Sequence, residues 1–363
     1  MADIPIPINA IKGRGSATRH PHRYEALARE GWVDAVLEHD DPWYLPSDAL
    51  PHTQVTTETA RSVITRNDSP DIGFEQSLNP YRGCEHGCSY CYARPSHSYL
   101  NLSPGLDFET RLVAKVNVAA QLRKELARPG YQPRLIAIGT VTDAYQPIER
   151  EWRLTRQVLE VMLETGHPCA LVTKGGGVLR DLDVLSELAR QGLVAVLVTL
   201  TTLDADLSRR LEPRAAAPHR RVQMIRALAD AGVPVGVSVA PQIPFLNVDM
   251  EACLDAAHQA GASRAFYSVL RLPWELSPLF RQWLHQHYPD RADRIMSSVQ
   301  ALRGGKDYDA RFGVRQQGQG VWAELFRQRF DLACRRLGLN QSRFALRTDR
   351  FRPPSLHGQG TLF

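Results

Sequence analysis

The stretch 79–94 reads Asn-Pro-Tyr-Arg-Gly-Cys-Glu-His-Gly-Cys-Ser-Tyr-Cys-Tyr-Ala-Arg, and no other part of the chain constrains the fold as tightly. Cys84, Cys88 and Cys91 stand four and three residues apart, so a tight loop can bring three sulfurs to one inorganic centre. Three thiolates leave one coordination position unfilled. A structural zinc ion takes a fourth protein ligand, normally from a second Cys or His pair at its own short spacing, and the chain has no second knuckle. His86 and His97 could complete such a site, although each also reads as a loop side chain. An iron-sulfur cluster held by three cysteines instead keeps one iron open to an exchangeable ligand. Merely structural buried cysteines have no reason to gather on a Gly-rich loop.

With an aromatic residue, Tyr90, directly before the last cysteine, this Cys-x3-Cys-x2-Cys loop resembles the cluster loop of the radical S-adenosylmethionine (SAM) superfamily. The resemblance implies a 4Fe-4S cluster on Cys84, Cys88 and Cys91 and an external one-electron reductant. It also implies SAM chelated to the open iron through its amino and carboxylate groups, and cleavage of the sulfonium to a 5′-deoxyadenosyl radical that takes a hydrogen atom from the substrate.

At 363 residues, 43% of them hydrophobic, the chain has room for one large α/β domain or one domain with appendages. It lacks any apolar run long enough to span a membrane, and its first residues have neither a charged n-region nor an apolar h-region; a cytoplasmic protein without membrane contact is expected. Cys169, Cys253 and Cys334 lie far apart in apolar-periodic segments and read as reduced core residues. The net charge of +5 is local: from Arg303 onward twelve Lys or Arg face five Asp or Glu. The first 25 residues, with Lys12, Arg14, Arg19 and Arg23, are basic too. Such segments are either solvated faces or a phosphate-backbone footprint, and the two ends could together embrace a polyanion.

Residues 1–70 show little periodicity beyond one helix at 24–37 and read as a basic N-terminal arm, in which Lys12-Gly-Arg-Gly is either a basic contact or an ordinary turn. Beyond the cysteine loop the pattern becomes regular. Apolar residues at 108, 112, 116, 119, 122 and 126 predict one amphipathic helix over 108–126. Strands are expected at 135–139, 170–173, 194–200, 233–239 and 264–269, separated by helices, which demands a parallel sheet. With a first strand leading into the cysteine loop this gives six βα units, hence an α/β fold built as an open, partial (βα)6 barrel, the core that the superfamily resemblance also implies. The core spans 71–275, a basic helical C-terminal extension 276–352, with helices at 274–287 and 321–337, and a flexible tail 353–363.

In such a barrel the functional side chains sit at the C-terminal ends of the strands. Asp143 follows the second strand, Thr173 and Lys174 the third, Thr199, Thr201 and Thr202 the fourth, with Glu212 on the connection beyond, and Arg271 the sixth. A zwitterionic ligand with a nucleoside needs a cation, an acceptor and hydroxyl-binding groups. Lys174, Asp143 and Thr199 or Thr201 can supply these, and Glu212 is counted with them; taken singly, each is equally a cap or turn residue. Lys174 stands out because a lysine ending an apolar strand is costly unless paired.

Four stretches together, 79–84, 142–149, 173–183 and 211–214, resemble the spore photoproduct lyase branch of the superfamily, often described as DNA repair photolyase-like. That resemblance implies a lyase-like enzyme acting on DNA, SAM contacts from Lys174 and the fourth-strand hydroxyl, and Tyr90 and Tyr92 beside the radical path. One departure matters: Thr140 stands where the lyase has a hydrogen-returning cysteine, and a hydroxyl hydrogen is far harder to abstract. The expectation is therefore a relative acting on another substrate, or one whose hydrogen returns from a tyrosine or from deoxyadenosine. The alternatives are a radical SAM enzyme on a protein or small molecule, and a non-catalytic metal or iron-sulfur protein. Segment 308–320, rich in Arg, aromatics and Gly, is either a nucleic-acid track or a loop capping the open barrel. The tail, with Gln359, Leu362 and Phe363, resembles a Gln-x-x-Leu-Phe sliding-clamp-binding peptide.

Overall fold

Ten strands order the chain: β1 Gln54–Glu58, β2 Ile64–Arg66, β3 Gln76–Leu78, β4 Tyr81–Arg82, β5 Arg111–Lys115, β6 Ile136–Ile138, β7 Cys169–Thr173, β8 Val194–Thr199, β9 Val235–Ser238 and β10 Arg264–Phe266. They come from a computed structural model that describes residues 10–25 and 52–355. Six of them, in the order β3-β6-β7-β8-β9-β10, pair in parallel, and β2 adds an antiparallel edge beside β3. This is the six-unit parallel architecture that the alternating pattern predicts. Central strand β8 is apolar apart from its last residue and is buried along most of its length, as a strand covered on both faces must be.

The crossover helices bury the stripe their periodicity predicts. Leu154–Thr165 turns Leu154, Val158, Leu159, Val161 and Met162 inward and ends at Gly166 with φ 62, a left-handed C-cap. Leu182–Arg190 buries Val184, Leu185 and Leu188.

The expected continuous helix over 108–126 is not present. Asp107–Thr110 makes a single turn, Arg111–Lys115 is strand β5, and the helix proper is Val118–Leu126. Leu112 and Ala114 alternate with half-buried Arg111, Val113 and Lys115, so period two governs this part of the run. The competing force is non-local: β5 sits between β1 and β4, parallel to β1 with Gln54 opposite Arg111. Strands β1 and β2 both fall inside the segment read as an arm. Residues 26–37 of the expected first helix, and Gln359, Leu362 and Phe363, lie outside the described residues.

The C-terminal helices are Leu276–His287, Ala292–Ala301 and Gly320–Leu337. Arg329 and Arg336 fasten the last to Glu251 and Asp255 of helix Met250–Gln259. Half of the twelve basic residues in this region, Arg311, Arg315, Arg327, Arg329, Arg336 and Arg347, have a carboxylate partner. Segment 308–320 reaches from one sheet edge to the other. The Val269 N–H, just beyond β10, donates to Gln316 O (2.9 Å), while the Gly313 N–H and Arg315 Nε donate to Asp71 (2.7 Å each) in the turn between β2 and β3. Cys169, Cys253 and Cys334 are buried free thiols away from the strand ends at the mouth. Among the described residues no helix is long and apolar enough to cross a membrane.

Candidate active site

The cysteine loop leaves β4 through Gly83, whose φ of 75 is left-handed. A Cβ there would lie 2.6 Å from Leu112 and 2.8 Å from His97, so this turn needs glycine. Arg94, 1% exposed, then gathers the loop: Nε donates to Cys88 O (2.9 Å), Nη1 to Gly105 O (2.8 Å), Nη2 to Gly87 O (3.1 Å), and the guanidinium pairs with buried Glu109 at 2.5 Å. The arm packs on the same device, since the Gly15 N–H donates to Glu109 Oε2 (3.0 Å) and Arg14 Nη1 to Glu109 O (3.0 Å). A Cβ on Gly15 would stand 1.7 Å from Gly87 O. The 12–15 stretch is thus a close-packed brace on the loop.

Cys84 and Cys88 are buried, Cys91 partly so. Burial pushes the Cys84 thiol well up, and the charges of Asp143, Cys88 and Cys91 add to the shift. Burial likewise raises Cys88 to about 12, against the pull of the Lys174 ammonium and with help from Glu212 and Cys91. Cys84 and Cys88, raised in this way by burial, stay protonated at neutral pH unless a metal displaces the proton. Among the described residues no three His, Cys, Asp or Glu side chains converge tightly enough for a lone metal ion. Zinc asks for four ligands at about 2.3 Å, whereas a cluster takes one cysteine per iron; the residues present fit the cluster better than the zinc clip.

Facing the loop is a buried network from the strand ends. The Tyr90 hydroxyl donates to Glu212 and lies 3.2 Å from Thr201 Oγ1, which donates to Glu212 Oε1 at 2.6 Å. Glu212 pairs with Arg221, both side chains fully buried, and Arg221 Nη1 also donates to Thr199 O (3.2 Å). Burial alone would raise the Glu212 carboxyl, yet Arg221 and Lys174 pull it down to about 2. Lys174 lies 5.8 Å from the Tyr90 ring centroid. Burial would lower its pKa, but Cys88, Glu212 and Asp143 raise it above the ordinary lysine value. The structure thus brings Lys174, Tyr90, Thr201 and Glu212 together, with the Thr199 carbonyl bound to Arg221 beside them.

Asp143 is differently placed from the free acceptor expected of it. Oδ1 accepts from Thr173 Oγ1 (2.6 Å) and the Tyr145 N–H (2.8 Å), Oδ2 from the Lys174 N–H (2.7 Å), and His86 Nδ1 lies 3.2 Å away. A carboxylate offers about four acceptor positions, and these four groups occupy them. Burial would raise Asp143, but His86, Lys174 and Thr173 hold it well below the usual carboxylate range. Thr202 caps a turn with Asp249 (2.9 Å). Two buried atoms near the mouth, Thr142 Oγ1 and Gln242 Oε1, have no hydrogen-bond partner among the described residues. Such orphans suit a polar ligand. At the lip Tyr92 is 44% exposed, donates to the Thr140 carbonyl and lies under the Arg271 guanidinium, 4.0 Å from its ring centroid.

Arg94, Glu109 and Arg221 were not among the sequence candidates. In the sequence each reads as a solvated charge, and only a partner distant along the chain reveals its burial.

An open parallel barrel whose first strand leads into a three-cysteine loop, with a lysine and a carboxylate buried against that loop, defines a recognisable class of protein. The sequence profile of the Radical SAM superfamily matches residues 78–257, and the chain belongs to this superfamily, whose members hold a 4Fe-4S cluster and SAM. An uncharacterized protein of Mycobacterium tuberculosis is 38% identical over 226 residues, 61% of this chain and 66% of its own, so slightly less than two thirds of that relative is matched. An uncharacterized protein of Methanocaldococcus jannaschii is 27% identical, over 62% of this chain and 82% of its own. Among solved structures, spore photoproduct lyase complexed with dinucleoside spore photoproduct aligns with a TM-score of 0.54 at 16% identity, covering 78% of this chain and 80% of that one. A mutant of that lyase with bound AdoMet and the dinucleoside aligns at 0.52 and 16% identity, covering 78% of each chain. The likeness is one of fold.

Proposed function

We propose that the chain is a radical SAM enzyme acting on nucleic acid, with Cys84, Cys88 and Cys91 as cluster ligands and the strand ends around Lys174 as the SAM site. The observation that carries this reading is the buried thiol loop set against the Lys174, Glu212 and Arg221 charges. When bound, the cluster supplies the electron that cleaves the SAM sulfonium, and the protein supplies binding, orientation and field.

In this proposal Lys174 offers positive charge to the ligand carboxylate, and Glu212, held anionic by Arg221, fixes both Lys174 and the Tyr90 phenol. Thr199 or Thr201 would supply the hydroxyl contact to the ribose. Asp143, with its acceptors filled, positions His86 and the β7 end and leaves the ligand's ammonium group to other acceptors. Tyr92 is the mouth-facing phenol available to return a hydrogen, a role the Thr140 hydroxyl cannot take. The nucleic-acid part is supported by the lyase neighbours, whose structures hold a dinucleoside photoproduct, and by the exposed Arg271–Tyr92 stack at the lip. An external one-electron donor and a reducing cytoplasm belong to the same proposal.

Anaerobic purification should yield about four irons per chain and, after dithionite, release of 5′-deoxyadenosine from SAM. Lys174→Met should weaken SAM binding at unchanged iron content. One zinc and no SAM cleavage would overturn the assignment. Binding to DNA should fall steeply with salt; SAM cleavage without any salt-dependent DNA binding would move the substrate to a protein or small molecule.

A further inference from the structure

Arg23 anchors a group of side chains that the chemistry above leaves unused. Its Nη1 donates to both carboxylate oxygens of Glu275 (2.9 and 2.7 Å), and its guanidinium lies 4.3 Å from the ring centroid of Trp274, 4.7 Å from that of Tyr24 and 5.5 Å from that of Tyr99. The two tyrosine rings are 5.5 Å apart. Yet Trp274 is 62% exposed, Tyr99 69% and Tyr24 54%. Three rings locked by one ion pair but open to water forgo most of the burial that normally justifies large aromatics. Trp274 moreover has φ 47, a left-handed conformation that a bulky residue adopts only under constraint from its surroundings.

The group lies beside the mouth. Trp274 is three residues past Arg271, which covers Tyr92, and Tyr99 belongs to the short helix Arg94–Leu100 that follows the cysteine loop. Its charge is positive at the surface: Arg19 is 63% exposed beside buried Asp107, and Glu275 is buried beneath Arg23. Exposed ring faces interleaved with arginines match an unpaired nucleic-acid strand, because every base has a face to stack and every linkage a phosphate to pair.

We infer that Trp274, Tyr99 and Tyr24 form a stacking platform for unpaired bases, with Arg19 and Arg271 beside the phosphates, so that the target nucleotide reaches the mouth single-stranded or drawn out of a duplex. This rests on the nucleic-acid reading proposed above. A protein or peptide partner is less well matched, since the surface offers flat rings and cations in place of a concave apolar groove.

The test uses the full-length, cluster-loaded protein and fluorescence anisotropy of a labelled oligothymidylate and of a duplex of the same length. The wild type should bind the single strand more tightly. Trp274→Ala and Tyr99→Ala should each weaken single-strand binding about 5- to 150-fold, Trp274→Phe should retain most of it, and duplex binding should change little. Iron content, urea midpoint and protease cleavage of the arm serve as controls. If Trp274→Ala also loosens the arm, Trp274→Phe and Tyr99→Ala decide. Wild-type single-strand affinity in both alanine variants, with salt-dependent binding intact, overturns the platform and leaves the nucleic-acid reading standing. Wild-type protein that binds neither oligonucleotide in a salt-dependent manner overturns both.

Discussion

Arg94 is the residue on which the cysteine loop depends most directly. Replacing it with Met would leave Glu109 buried without its cation and release the carbonyls of Gly87, Cys88 and Gly105. Breaking a buried pair from one side costs roughly 3–5 kcal/mol; Arg94→Met should lower the urea midpoint accordingly and also reduce the iron retained after gel filtration. Gly15→Ala should act on the same loop from the arm, because its Cβ meets a backbone oxygen that has little room to yield. Overpacking of this kind costs about 1–3 kcal/mol, and loss of the brace should appear as faster bleaching of the cluster absorbance in air. Two deeply buried histidines, His97 and His167, contribute to the response to acid. Burial lowers both His97 and His167 to about 4, whereas in the unfolded chain each takes up its proton near pH 6.5. Between these values the unfolded state binds more protons, so stability falls as the pH drops from about 6.5 to 4, by roughly 2.7 kcal/mol per unit at the steepest for two sites. Urea midpoints across that window check the slope, and His97→Asn should remove about half of it.

At the scale of elements the informative piece is β5. Val113 is half-buried on a strand paired on both sides, so Val113→Ala should destabilise by roughly 0.5–1 kcal/mol through lost strand packing. Were 108–126 a helix, the same change would stabilise by a few tenths, so the sign of the shift in urea midpoint separates the two structures. The example shows where local pattern fails. Positions 108, 112 and 116 satisfy a helical spacing, but the partner that makes 111–115 a strand lies at 54–58, more than fifty residues earlier. Five of the six parallel strands were legible as short, largely apolar runs closed by turn residues, whereas the first, Gln-Ser-Leu, carries no such run and was inferred only from its place ahead of the cysteine loop; that loop was legible because its three sulfurs are local in sequence. Lys174 was legible for a related reason, as a charge at the end of an apolar strand. The work of Asp143 was not, since its donors come from Thr173, Lys174, Tyr145 and His86. Nor was Arg221, which follows another arginine in a helix and shows its burial only through Glu212.

For the molecule as a whole, an open barrel has to hold its two edges together without closing the sheet. Here segment 308–320 does so, hydrogen-bonded to Val269 beyond β10 at one side and to Asp71 between β2 and β3 at the other. Asp71 is the narrow point of this bridge, being 7% exposed and shared by the Arg315 guanidinium and the Gly313 N–H. Asp71→Asn keeps the shape but removes the charge, and a charge-assisted bond contributes roughly 1.5–3 kcal/mol. The loss should be felt where the bridge lands: amide exchange at Val269, Gly313 and the 69–71 turn should quicken about tenfold or more, while the amides of central strands β7 and β8 keep their protection. Because the Asp71 side chain is largely shielded from water, added salt should change the effect little, unlike the exposed pairs of the last helix. Uniform acceleration through β7 and β8 would instead mean that the bridge supports global stability, and unchanged exchange at Val269 would mean that the edges are held by the sheet alone.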